Sequence, residues 1–183
     1  MYCHGWEERG TPSAGMLADG EASKVPVALH LARQVLRMSD QVTLYTNGNT
    51  ELAEQLSEAL KAAPAPMTVD SRKISKLVKG SENAQVVLHL EDGTSKIEAF
   101  LAHKPKTKLR GDLAQQLGLE MTPMNTIKVT PPFNQTSLRG VFAAGDCSSP
   151  MQTVTGALFS GTCTGGGAPL QLQADALGQP AIF

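Results

Sequence analysis

The sequence holds little cysteine: Cys3, Cys147 and Cys163 are the only three in 183 residues. Thiols so few and so scattered exclude a disulfide scaffold. A reducing, cytoplasmic setting is the default expectation, and a role for any cysteine is then redox, catalytic or packing. Charge of one sign is lacking too, with 16 Lys and Arg against 17 Asp and Glu. Without a basic surplus, electrostatic binding to nucleic acid has no support. Long apolar runs are absent, and none approaches the ~20 residues that a membrane span needs. The opening MYCHGWEERG has no basic stretch followed by an apolar core, so no secretory signal is expected. No repeat, low-complexity tract, metal-ligand spacing or nucleophile elbow is present. What remains is an ordinary apolar fraction of 41% and enough chain for one good-sized core or two small ones.

The pattern along the chain is α/β. Residues 1–20 read as Gly-rich and irregular. Apolar residues at helical spacing (Val27, Leu29, Leu31, Ala32, Val35, Leu36) predict an amphipathic helix from about Ala22 to Met38, with Pro26 in its first turn. A strand from Val42 to Thr46 follows, ended by Asn47-Gly48. A second helix starts near Thr50 as cap and ends before Pro64 and Pro66. MTVDSRKISKLVKG reads as strand, turn, strand, and two β-rich runs flank Asp92-Gly93, a strong hairpin signal. GDLAQQLGLEM predicts a short helix that runs out at Gly118. NTIKVTPPFNQTS predicts a strand and then a surface turn at Asn134 to Ser137. GVFAAGD reads as a buried strand before a closing helix. Gly165 to Gly167 weaken that helix by ~1 kcal/mol each relative to alanine, so a bend or break is expected there. Helices alternating with strands around a hairpin predict a Rossmann-like domain carrying a β-meander.

The stretch GVFAAGDCSSPMQTVTGALFSGT, from Gly140 to Thr162, concentrates the chemistry. A strand ending in Gly145-Asp146 turns sharply and sends one carboxylate past the strand's C-terminal edge, where open α/β sheets bind ligands. A carboxylate suits the hydroxyl of a polyol, and the following helix offers free N–H groups and a positive dipole end. These features describe a flavin site, with Asp146 toward the ribityl or pyrophosphate region and backbone N–H groups near Thr153 and Val154 at the ring edge. The same residues also describe a strand, an aspartate turn and a core helix with no ligand.

GVFAAGD, preceded by LGLEMTPMNTIKVTPPFNQTSLRG, resembles the C-terminal FAD-binding segment of low-molecular-weight thioredoxin reductases. YCHGWE resembles the tail of their redox motif, Cys-x-x-Cys-His/Asp-Gly-aromatic. With PMQTVTGALFSGT and VPVALHLARQ, it is similar to the fungal branch of gliotoxin-type dithiol oxidases from secondary-metabolite clusters. The resemblance implies two Rossmann-like domains, with the FAD domain split in sequence around a pyridine-nucleotide domain. On that reading residues 1–105 are the inserted domain with a remnant of the redox motif. Residues 106–183 are the return segment of the FAD domain, and its N-terminal half is expected to be absent. The resemblance makes Cys3 the exchange thiol, its partner falling before Met1, and makes His4 its proton carrier. It also implies a small dithiol or protein disulfide as substrate, and a homodimer. Cys147, beside Asp146, reads mainly as a small buried residue, and Cys163 as helix packing.

The family's nucleotide loop, G-x-G-x-x-A/G, should stand between a strand and the first helix. Asp19-Gly20-Glu21-Ala22-Ser23-Lys24 occupies that place, and only Gly20 survives. Asp19 and Glu21 bring carboxylates toward a pyrophosphate, which repels them. YTNGN, after the next strand, has no arginine for a 2′-phosphate. NADPH is therefore doubtful and FAD, on a partial site, is the expected cofactor. The rival expectation is a catalytically incomplete remnant whose apolar edge binds a chain supplying the missing FAD half.

Overall fold

The computed structural model describes residues 8–183. The chain divides into two units, Met1–Lys106 and Thr107–Phe183. In the first, β1 (Ala14–Leu17), α1 (Val25–Val35), β2 (Val42–Tyr45), α2 (Thr50–Ala62) and β3 (Met67–Asp70) alternate. Next come β4 (Ile74–Lys79), β5 (Val86–Leu90) and β6 (Ser95–Glu98), an antiparallel meander, before β7 (Leu101–His103) returns to the first sheet. That sheet is wholly parallel in the order β3-β2-β1-β7. The α/β architecture and its meander are those predicted.

The core follows from two periodicities. α1 buries Ala28, Leu31, Ala32 and Val35, spaced i, i+3, i+4, i+7, and α2 buries Leu52, Ala53 and Leu56. They cover a sheet whose central strands offer Ala14, Met16, Val42 and Leu44, each nearly inaccessible to solvent. Fully burying a leucine or methionine contributes roughly 1.5–3 kcal/mol, so these positions hold the unit together.

Several expectations are corrected. Residues 14–17 are not irregular: AGML is the central strand β1. Ala14, Gly15 and Met16 are all buried and Leu17 is half-buried, so the strand shows no polar alternation and the period-2 signal is missing. The run SKIEAFLAH is not one strand but two. It leaves the meander at Glu98 and enters the parallel sheet at Leu101, because only the edge of β1 offers β7 a parallel partner. The cap of α2 is Asn49 rather than Thr50, its side chain accepting from the Leu52 N–H at 3.0 Å.

The second unit holds α3 (Leu113–Gln116), a 3-10 turn at Gly145–Cys147 and α4 (Val154–Leu177). GVFAAGD is not a strand here. A strand needs a hydrogen-bonded neighbour along its length, and this segment bridges only at Phe142, to Gln135. The strand predicted in NTIKVT is likewise reduced to bridges at Ile127 and Thr130. Within the predicted surface turn, Thr136 is buried and its hydroxyl donates to the Val141 carbonyl at 2.9 Å. The closing helix neither breaks nor stops at Gly165 to Gly167: α4 is one helix of 24 residues, with Pro169 inside it and Gly178 closing it at φ 64°. The glycines are tolerated because the preceding loop is fastened along one face of the helix.

Candidate functional site

Two candidate edges can be described, one in each unit. In the first, the chain steps from β1 to β2 on one side and returns as β7 on the other. That reversal makes the carboxyl end of β1 the topological switch point, where open α/β sheets bind ligands. The β1–α1 turn lies there, with a 3-10 turn at Gly20–Ala22. Gly20 adopts φ 60°, a left-handed conformation that glycine takes without strain, and a Cβ on it would lie 3.5 Å from the Lys104 carbonyl oxygen and the Lys106 nitrogen.

The electrostatics of this edge come from Asp19. Its Oδ1 accepts the Gly20 N–H at 2.6 Å and its Oδ2 accepts from Asn47 Nδ2 at 3.1 Å. The Asn47 bond, then the Gly20 bond, hold its carboxyl below the usual carboxylate range, helped by His103 and Lys106 nearby. Asn47 sits at φ 50° after β2, and its Oδ1 accepts the Ile74 N–H at 2.9 Å. Glu21 pairs with Lys104 at 2.9 Å, and His103 Nδ1 donates to the Leu17 carbonyl at 3.2 Å. Beside Gly15 of β1, the buried Tyr45 phenol donates to Glu98 Oε1, while Glu98 Oε2 has no partner among the described residues. Burial, then the Glu98 bond, push the phenol's pKa above its ordinary range.

In the second unit, Gly145 takes φ 78° and its N–H donates to Ser160 Oγ on α4 at 2.8 Å. This bond seats the 3-10 turn against the helix and leaves the Asp146 side chain exposed, without a hydrogen-bond partner among the described residues. Thr153 caps α4, its hydroxyl accepting the Gly156 N–H at 3.1 Å. The N–H groups of Val154 and Thr155, at the first helical positions, lie outside the helix ladder. A free carboxylate, free N–H groups at the start of a long helix and an apolar rim of Val154, Ala157 and Leu158 fit a ligand with a polyol and a polar-edged ring. Cys147 is half-buried, its thiol donating to the Ala144 carbonyl at 3.1 Å, and Cys163 is half-buried on α4. Cys3 and His4 lie outside the described residues.

Sequence reasoning missed the residues that seat this turn. Asn134 Nδ2 donates to the Ser160 carbonyl at 3.0 Å and to Thr164 Oγ1 at 3.2 Å. Gln171 Oε1 accepts the Gly140 N–H at 2.9 Å, and Arg139 pairs with Asp175 at 2.6 Å. Ser160, Thr164, Gly167, Gln171 and Asp175 recur every three or four residues, one stripe of the helix. The stripe was legible as the polar face of an otherwise apolar segment, but a polar face is ordinarily read as the solvent side. Here it is inverted. Leu158, Phe159 and Leu172, on the rest of α4, are about 70% exposed. No helix among the described residues is long and apolar enough to cross a membrane.

The chain as a whole is similar to known proteins of one family. The family model for pyridine nucleotide-disulphide oxidoreductases matches residues 26–161. A protein named thioredoxin reductase tcpT, from Claviceps purpurea, is 47% identical over 183 residues, all of this chain and 56% of its own length. Thioredoxin reductase sirT from Leptosphaeria maculans is 37% identical over 177 residues, 93% of this chain and 54% of its own. The crystal structure of an oxidoreductase from Agrobacterium tumefaciens superposes with a TM-score of 0.72 at 30% identity, covering 94% of this chain and 54% of that one. The chain therefore spans about half the length of the curated relatives it matches. With a parallel sheet interrupted by a meander, a nucleotide-type turn after β1 and a Gly-Asp turn before α4, the chain belongs to the pyridine nucleotide-disulphide oxidoreductase family.

Proposed function

We propose that this chain is the later part of an FAD-dependent thiol–disulfide oxidoreductase that oxidises a dithiol to a disulfide, working in the cytoplasm on a small dithiol of secondary metabolism or on a protein thiol pair. The observation that carries this reading is the Gly145–Asp146 turn, held by Ser160 beside the free N–H groups at the start of α4. Asp146 would hold the ribityl or pyrophosphate side of FAD, and the N–H groups near Thr153 and Val154 would hold its ring edge. When bound, FAD supplies the acceptor for the two electrons released as a dithiol becomes a disulfide. Cys3 carries thiol exchange as the thiolate, and His4 takes its proton. The turn at Gly20 keeps one glycine of the dinucleotide fingerprint, and the NADPH reading is correspondingly weak.

The second reading rests on the inverted helix. An apolar helix whose polar stripe faces its own unit leaves Leu158, Phe159 and Leu172 to be covered by something else. On this reading the cover is a partner chain that supplies the rest of the FAD domain. The purified chain, mixed with FAD and freed of excess, separates the two. A retained yellow flavin spectrum that bleaches with dithiothreitol supports the oxidoreductase. A colourless, self-associating chain refutes that reading for the isolated chain and supports the second.

A further inference from the structure

The switch-point edge of the first unit is more than a poor match to a fingerprint. A dinucleotide pyrophosphate needs unspent backbone N–H groups in the β1–α1 turn and a neutral or basic surround. Here the Gly20 N–H already donates to an anion, the Asp19 carboxylate, at 2.6 Å. That carboxylate is not an idle surface group. Asn47 Nδ2, from the loop after β2, holds its other oxygen at 3.1 Å, and Asn47 is itself fixed by the Ile74 N–H at 2.9 Å. The chain thus spans the crevice with its own hydrogen bonds, from the loop after β1 to the loop after β2, across the path that phosphate and ribose would take. The cations at the edge are balanced as well: Lys104 pairs with Glu21 at 2.9 Å, while His103 and Lys106 lie close enough to Asp19 to favour its charge.

We propose that Asp19 is a built-in anion that fills the dinucleotide phosphate position of the β1–α1 turn, latched by Asn47, so that this unit excludes pyridine nucleotides. The proposal rests on reading this edge as the family's nucleotide edge. It makes Asp19 the residue that separates an enzyme drawing electrons from a dithiol from one fed by a nicotinamide.

The full chain tests this by NADPH titration, read by nicotinamide fluorescence and by the Gly20 amide signal in NMR. The wild-type chain is expected to give no saturation and no Gly20 shift at ~1 mM NADPH, whereas Asp19→Gly binds at least about tenfold tighter, because an ionised carboxylate a few ångströms from a pyrophosphate repels it by more than a decade of affinity. Asp19→Asn keeps the side chain's shape and loses its charge, so it also gains affinity, by a smaller factor. It stands in should Asp19→Gly not fold, judged by far-ultraviolet circular dichroism. Saturable binding of NADPH to the wild-type chain, with a Gly20 shift, overturns the proposal. So does a folded Asp19 variant that binds no better than wild type. The visible spectrum of each preparation with FAD is recorded alongside. A failure confined to the nucleotide titration strikes the Asp19 plug, and a failure confined to flavin retention strikes the oxidoreductase reading.

Discussion

Alanine at Gly167 and alanine at Gly165 should move stability in opposite directions, although both replace a glycine inside α4. A Cβ on Gly167 would lie 2.4 Å from Phe133 Cβ, 2.6 Å from its Cγ and 2.9 Å from its Cδ1. Carbon atoms pack best at ~3.5–4.0 Å, so helix and loop must separate by roughly 1 Å. Phe133 cannot simply turn aside, since the closest atom is its Cβ and its ring lies 4.6 Å from that of Phe183. Its neighbour Asn134 is held by Ser160 and Thr164, so separation also stretches those bonds. Overpacking costs about 1–3 kcal/mol and a weakened hydrogen bond about 1 kcal/mol, against a gain in helix propensity of about 1 kcal/mol. The net expectation for Gly167→Ala is a loss of about 1–3 kcal/mol. At Gly165 nothing lies within 4 Å of the added carbon, and only the propensity gain, about 0.5–1 kcal/mol, remains. Urea denaturation of each full-length variant, followed by circular dichroism at several wavelengths, reads the difference. For a unit of this size 1 kcal/mol is worth about 4–8 °C in melting temperature. If Gly167→Ala matches Gly165→Ala in stability, the seating of α4 on the Phe133 loop is wrong, and with it the placement of the Gly145–Asp146 turn.

Tyr45→Phe should destabilise the first unit by about 2 kcal/mol, because the buried Glu98 then loses the one hydrogen-bond donor it has among the described residues; Tyr45→Phe combined with Glu98→Leu should recover much of that loss, and a simple sum of the two single effects would refute the pairing. Asp146→Ala should weaken FAD retention about tenfold or more without lowering the melting temperature, since the side chain is exposed and unpaired; equilibrium dialysis against FAD checks it. Acid should weaken the junction between β3 and the meander. Arg72 holds the Asp70 carboxyl low, and the Thr94 hydroxyl, the Thr94 N–H and Arg72 hold that of Asp92 down to about 2. Because both folded values lie below the unfolded ones, the stability they contribute is complete above ~4 and is lost as pH falls from there toward about 2. Unfolding followed across that window should show the loss. Arg72→Ala should shrink its Asp70 part and leave the part due to Thr94, and an unchanged slope would refute the assignment.

Much of this was legible in residue order. Helical spacing located α1, and a cap signal near Thr50 with Pro64 and Pro66 located α2, each to within a few residues; Asp92-Gly93 marked the turn between β5 and β6, and the register of Asp19–Lys24 against α1 placed the β1–α1 turn. These are local signals, set by the periods of helix and strand and by turn chemistry, and the chain carries them wherever it sits. β1 was illegible because its four residues, three buried and one half-buried, have no polar face to contrast with. The strands expected around Ile127 and Phe142 failed because a strand exists only with its neighbour.

The chain alone therefore determined its α/β class, its helices and the presence of carboxylates at both turns. Only the tertiary structure decided what those carboxylates do. Asp19 is spent on its neighbour Gly20 and on Asn47, which the loop after β2 brings to it, whereas Asp146 is left free by a turn that Ser160 anchors from the neighbouring helix. Whether an anion is satisfied or available depends on which donors lie within ~3 Å, and beyond the neighbouring residue those donors are set by the packing of segments far apart in sequence.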